Sequence, residues 1–126
     1  MQASGNTRLK LLYLIDIFKR ETDEEHALSV YDLIKELANY GITVSRQVLY
    51  EDVELLKDYG MDIYTNRQSG SAPTLYHLAS RDFKLAELKL LIDTIKSSQF
   101  ISQSQSKELI QKLTSLTSKY HAKELE

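Results

Sequence analysis

The sequence has no cysteine and no tryptophan in its 126 residues. Without cysteine there can be no disulfides and no thiolate metal sites. The three histidines, His26, His77 and His121, are far apart and show no metal-ligand spacing, so neither a metal site nor a cofactor is expected. No apolar run approaches the roughly 18 residues that a membrane span needs. The first ten residues, "MQASGNTRLK", lack the basic segment, apolar core and cleavage site of a signal peptide. There is no nucleophile elbow, no P-loop and no paired-glycine phosphate loop, so an enzyme is not expected. The default reading is a soluble cytoplasmic protein with no membrane partner.

Net positive charge is lacking too. The formal charge is -2 at pH 7, and it is unevenly spread. Residues 1–20 carry Arg8, Lys10, Lys19 and Arg20 against Asp16. Residues 21–60 carry ten acids against only Lys35, Arg46 and Lys57. Residues 61–82 balance, and residues 83–126 carry seven lysines against five acids. Any nucleic-acid binding must therefore be local, because the field of the whole molecule does not favour it.

What is present is helical periodicity with clear punctuation. Thr7 to Arg20, "TRLKLLYLIDIFKR", predicts a helix with two opposed apolar faces. Leu9, Leu12, Tyr13 and Ile17 form one, and Leu11, Leu14, Ile15 and Phe18 the other. Such a helix needs neighbours on both sides. "ETDEEHA" reads as a solvated connection. Ser29 is the N-cap of a second helix, with Asp32 completing a capping box and a Leu28–Leu33 hydrophobic staple. Gly41 ends that helix. Ser45 caps a third, stapled by Val44 and Leu49, with an apolar stripe of Val48, Leu49, Val53, Leu55 and Leu56, and Gly60 closes it. Two capped helices joined by a short glycine-bearing turn form a helix-turn-helix.

After Gly60 the period changes. "MDIYTN" and "TLYHLA" alternate around the turn-forming "RQSGSAP", which predicts a β-hairpin in the position of a wing. Phe83 to Phe100 is a further helical region with Leu85, Leu88, Leu91, Ile92 and Ile95 on one face and Leu90 off it. "SSQFISQSQS" connects it to a last helix from Ser106 to about Leu125, striped by Leu109, Ile110, Leu113, Leu116 and Tyr120. The expected fold is mainly α with a small β-hairpin wing: a winged helix-turn-helix over 1–82, then a two-helix C-terminal hairpin over 83–126. Two amphipathic helices alone make a poor core, so, with the second apolar face of the first helix, further burial is expected, by intramolecular docking or by homodimerisation, and the stray Leu90 favours the homodimer.

"SRQVLYEDVELLKDYGMDI", the hairpin ending "LYHLAS" and "RDFKLAELKLLIDTIKSSQFIS" together resemble the N-terminal part of WYL-domain transcriptional regulators. The likeness covers nearly the whole chain and is most specific at Ser45, Arg46, Tyr50, Asp52, Leu56 and Gly60 and from Phe83 to Ile101. It implies a winged helix-turn-helix that binds double-stranded DNA, followed by a helical linker. The Trp-Tyr-Leu signature is absent, so ligand sensing would need a C-terminal domain beyond these residues. Many family members carry Arg where this sequence has Glu51.

The candidate contacts follow from helical geometry. In a helix-turn-helix the first turns of the recognition helix, here within 45–59, reach base edges. Those turns present Arg46, suited to guanine, Gln47, suited to adenine, and Tyr50, suited to a phosphate or a thymine methyl. Lys57 lies further along the same outward face, with Glu54. Ser29, Ser45 and the free amides at a helix start suit phosphate oxygens. Arg67, Gln68 and Ser69, at the tip of a wing spanning 61–79, suit the adjacent backbone. Glu51 beside this face either accepts from cytosine N4 or repels phosphate. Asp52 falls inside the apolar stripe and needs a partner, either the N-terminal amides of a neighbouring helix or Arg8. The competing expectation is a winged-helix protein-interaction module whose acidic helix meets a basic partner.

Overall fold

A computed structural model describes the backbone of residues 3–126 and the side chains of residues 8–126. Helix α1 runs Ala3–Glu21, starting earlier than the apolar periodicity predicts. Leu14, Ile17 and Phe18 are fully buried, while Leu9 and Leu12 stand 43% and 58% exposed. The two-faced pattern therefore resolves into one buried side centred on 14, 17 and 18, with Leu11, Tyr13 and Ile15 partly covered.

The connection after α1 is not simply solvated. Thr22 and Asp23 are buried, and only Glu24 and Glu25 are exposed. Thr22 Oγ1 donates to Phe18 O at 2.6 Å and accepts from Leu78 N–H at 3.0 Å. A hydroxyl used in both directions replaces what a strand or helix neighbour would supply to those backbone groups. Asp23 and His26 exchange backbone hydrogen bonds, and Asp23 Oδ1 also sits 2.8 Å from His26 Nδ1.

Strand β1, Leu28–Ser29, leads directly into α2, Val30–Ala38. The capping box forms as the residue types predict: Asp32 N donates to Ser29 Oγ and Ser29 N donates to Asp32 Oδ2. Gly41, at φ 78°, turns the chain out of the helix, with Ile42 N–H returning to Leu37 O. Helix α3, Arg46–Tyr59, starts where Ser45 Oγ accepts from Val48 N–H. Its buried residues are Leu49, Asp52, Val53 and Leu56. Val48 and Leu55, expected in that stripe, lie at its margins and are 37% and 53% exposed.

Strands β2, Ile63–Asn66, and β3, Leu75–Leu78, form the expected antiparallel hairpin, with Ile63 opposite Leu78 and Asn66 opposite Leu75. Strand β1 pairs with the other edge of β3, Leu28 opposite Tyr76 and Ser29 opposite Leu75. The result is a three-stranded sheet in the order β1-β3-β2, one strand more than the hairpin alone. Ile63, Tyr76 and Leu78 from this sheet join α1, α2 and α3 in a single core.

Contacts divide the chain into two compact units, Met1–Ser80 and Arg81–Glu126. The second contains α4, Leu85–Ser97, α5, Gln103–Thr114, and α6, Lys119–Glu124. The single last helix expected from Ser106 to about Leu125 is thus two helices, and the expected two-helix hairpin is a three-helix unit. Ser118 breaks it: its buried hydroxyl accepts from His121 N–H and starts a new helix. Helix α5 starts at Gln103, earlier than the expected Ser106, capped by Ser102, whose Oγ accepts from Gln105 N–H. The core of this unit is small. Leu88, Ile92 and Leu125 are buried, backed by Leu85, Ile110 and Leu113. Among the described residues the chain is mainly helical, with six helices and this one small antiparallel sheet.

Candidate nucleic-acid interface

Helix α3 buries one side and presents the other. The buried set 49, 52, 53, 56 recurs at three- and four-residue steps, so positions between them point outward. Arg46, Gln47, Tyr50, Glu51, Glu54 and Asp58 are all exposed. Arg46, Gln47 and Tyr50 share the first turns, where a partner lying across the helix start meets all three. Ser45 is exposed at that start, with its hydroxyl accepting from Val48 N–H.

Arg46 is held by a group outside its own helix. Its Nη1 donates to the Tyr31 hydroxyl on α2 over 2.8 Å. That bond, with the electrostatic influence of Tyr31 and Tyr50, raises the guanidinium above its ordinary value. As an arginine, Arg46 keeps a positive charge at the start of α3. Tyr31, which is 55% exposed, is the partner of Arg46 that periodicity does not single out. Its only sequence signal was its place early in a capped helix.

Lys57 is less free than expected. It is half-buried, donates to Thr65 Oγ1 on β2 at 2.8 Å and lies 3.4 Å from Glu54. It ties α3 to the sheet and partly offsets Glu54. Ser29 departs further from expectation. It is 5% exposed, its hydroxyl serves the α2 cap and its backbone belongs to β1. It presents no open surface to a phosphate.

Arg67, Gln68 and Ser69 lie exposed in the turn between β2 and β3. Gln68 Nε2 donates to Asn66 O at 3.4 Å, and Gly70, at φ 71°, supplies the left-handed turn residue. Burial is the main cause that lifts the Tyr76 phenol above its ordinary value. Tyr50 and Glu54 push it the same way, and Arg67 acts against them. Tyr76 on the central strand thus feels both the outward face of α3 and Arg67 in the turn.

Asp52 faces inward and is 5% exposed. Its partner is Lys10 on α1, with Nζ 2.9 Å from Oδ2, rather than Arg8 or a helix N-terminus. Arg8 is exposed. The acids of α3 therefore belong to different environments. Asp52 is internally paired, Glu54 is offset by Lys57, and Glu51 and Asp58 face solvent.

Comparison with family models found no match, and comparisons with curated proteins and with solved structures found none either. No described helix is long and apolar enough to cross a membrane.

Proposed function

We propose that the first unit is a winged helix-turn-helix that binds double-stranded DNA sequence-specifically, as the DNA-binding part of a transcriptional regulator. In this reading α3 enters the major groove by its first turns, and the β2–β3 turn lies along the adjacent backbone. The observation that carries it is the shared exposure of Arg46, Gln47 and Tyr50 at the start of a capped helix, with Arg67 exposed in the β2–β3 turn. The likeness of "SRQVLYEDVELLKDYGMDI" and its flanking segments to WYL-domain regulators supports the same reading.

Homodimerisation belongs to this proposal. Leu90, Leu91, Leu109 and Leu116 in the second unit are exposed, and Phe100 is 97% exposed. A dimer would present two half-sites and double the phosphate contacts of a chain with little positive charge.

The experiment is a selection of genomic fragments by the purified chain, followed by titration of the selected duplex with salt. Enrichment of one sequence pattern, with affinity falling as salt rises, supports the reading. Glu51 and Asp58, exposed on α3, favour a second reading: a winged-helix module that meets a basic protein surface. Failure to retain any duplex at low salt would leave that one standing.

A further inference from the structure

Tyr31 and Arg46 come from different helices and meet in solvent. Tyr31 is the second residue of α2 and Arg46 the first of α3. The guanidinium carries five N–H donors, and the bond to Tyr31 uses one. The phenol oxygen accepts that bond, so its own O–H remains to donate. The joined pair therefore offers a donor-rich array, carrying one positive charge and drawn from two helices. A phosphate diester, with only acceptor oxygens and one negative charge, is the group such an array matches.

We infer that Tyr31 and Arg46 form a two-residue clamp for one backbone phosphate of duplex DNA. Tyr31 is then a contact residue in its own right, and Arg46 a backbone contact rather than a reader of guanine. The inference rests on the DNA-binding reading above. In helix-turn-helix proteins the earlier helix crosses the backbone while the recognition helix enters the groove. A guanidinium bound to a side chain of the earlier helix is held at the groove wall. Reading guanine uses two guanidinium N–H groups on one base edge, and the bond to Tyr31 engages one Nη elsewhere. Base readout then falls to Gln47 and Tyr50.

The nearby Arg20–Tyr40 pair shows the contrast. Arg20 Nη2 donates to the Tyr40 hydroxyl at 2.6 Å, but the Tyr40 ring stacks on Tyr13 at 4.3 Å and serves packing between α1 and the end of α2. Tyr31 is more exposed than Tyr40, at 55% against 38%. A neutral phenol also adds a phosphate contact without adding charge, which suits a chain whose net charge is -2.

The test uses the full chain, a duplex enriched from genomic fragments and an unrelated duplex, with binding read by fluorescence anisotropy across a salt series. Tyr31→Phe should weaken both duplexes by the same factor, about fivefold, with the salt slope unchanged because the lost group is neutral. Arg46→Ala should weaken both equally, about tenfold, and lower the salt slope by about one. The double variant should lose less than the product of the two factors, because both residues serve one phosphate.

Loss of discrimination at a single base pair in Arg46→Ala would overturn the clamp, as would wild-type affinity in Tyr31→Phe. A drop in urea midpoint large enough to explain the affinity loss in Tyr31→Phe would make the pair a helix-to-helix tie and overturn it too. Wild-type protein that binds neither duplex defeats the DNA-binding reading itself, and the clamp with it. That failure shows before any variant is made, so the two are separable.

Discussion

Glu51 and Asp52 are neighbours in sequence with opposite surroundings. Asp52 is 5% exposed against Lys10, while Glu51 is exposed to solvent on α3. Removing one member of a buried pair leaves the other charge uncompensated, which costs about 3 kcal/mol. Asp52→Asn should lower stability by that order in urea unfolding, with little change at the outer face of α3. Replacing both partners, Lys10→Met with Asp52→Leu, should restore most of the loss, since a buried ion pair is often no better than apolar packing of similar size. If the double variant is as unstable as the single one, the pair is not what holds α1 to α3. Glu51 predicts the reverse pattern. Glu51→Arg changes an exposed position and should leave the urea midpoint within about 0.5 kcal/mol. Under the DNA-binding reading it should tighten duplex binding and steepen the salt slope by about one phosphate contact. An unchanged slope would put Glu51 outside the interface.

At the scale of elements, much of the fold was legible because its boundaries are chemical. Ser29, Ser45 and Gly60 announce where α2 begins and where α3 begins and ends, and each does so by a local hydrogen bond or a local dihedral. Ser45→Ala should cost about 1 kcal/mol by exposing the Val48 amide. Gly60 sits at φ 124°, which L side chains rarely adopt, so Gly60→Ala should cost more than that although the space around it is open. Equal midpoints for wild type and Gly60→Ala in chemical denaturation would show that the end of α3 relaxes at no cost.

What escaped the sequence is long-range or lies at a stripe's margin. Strand β1 has two residues, and it exists only because β3, far along the chain, pairs with it. The break between α5 and α6 contains no glycine or proline. The apolar spacing of Leu109, Leu113, Leu116 and Tyr120 runs straight through it, and Ser118 was the one local signal. Arg46, Gln47 and Tyr50 were legible as an exposed face, since helical period alone sets which side they share. Ser29 was legible as a cap but not as a buried residue, because the strand that covers it is tertiary. Tyr31 was not legible, because its meaning comes from Arg46, which the fold brings across from another helix.

For the whole molecule, the question is how a chain of net charge -2 would hold a polyanion. Single-site electrostatics offers little: on α3 Arg46 is exposed with only the neutral Tyr31 as partner, while Lys57 is tied to Thr65 and Glu54. Under the proposal above, self-association would double the contacts, through the exposed apolar side chains of the second unit. Its core buries Leu88, Ile92 and Leu125, yet Leu90 is 68% exposed on the same α4 helix. An apolar side chain left in solvent contributes little to the isolated fold, and under the dimer proposal Leu90 is covered by the partner copy. Leu90→Glu should therefore leave the unfolding midpoint of a dilute sample almost unchanged. In light scattering at micromolar concentration it should shift the mass from two chains to one. Duplex affinity should fall with it, and the salt slope should drop by about half as one set of phosphate contacts is lost. A wild-type mass of one chain at every concentration would remove dimerisation from the account. DNA binding would then rest on one copy of α3 and the β2–β3 turn, and the shallow slope of a single site should be seen in the wild type itself.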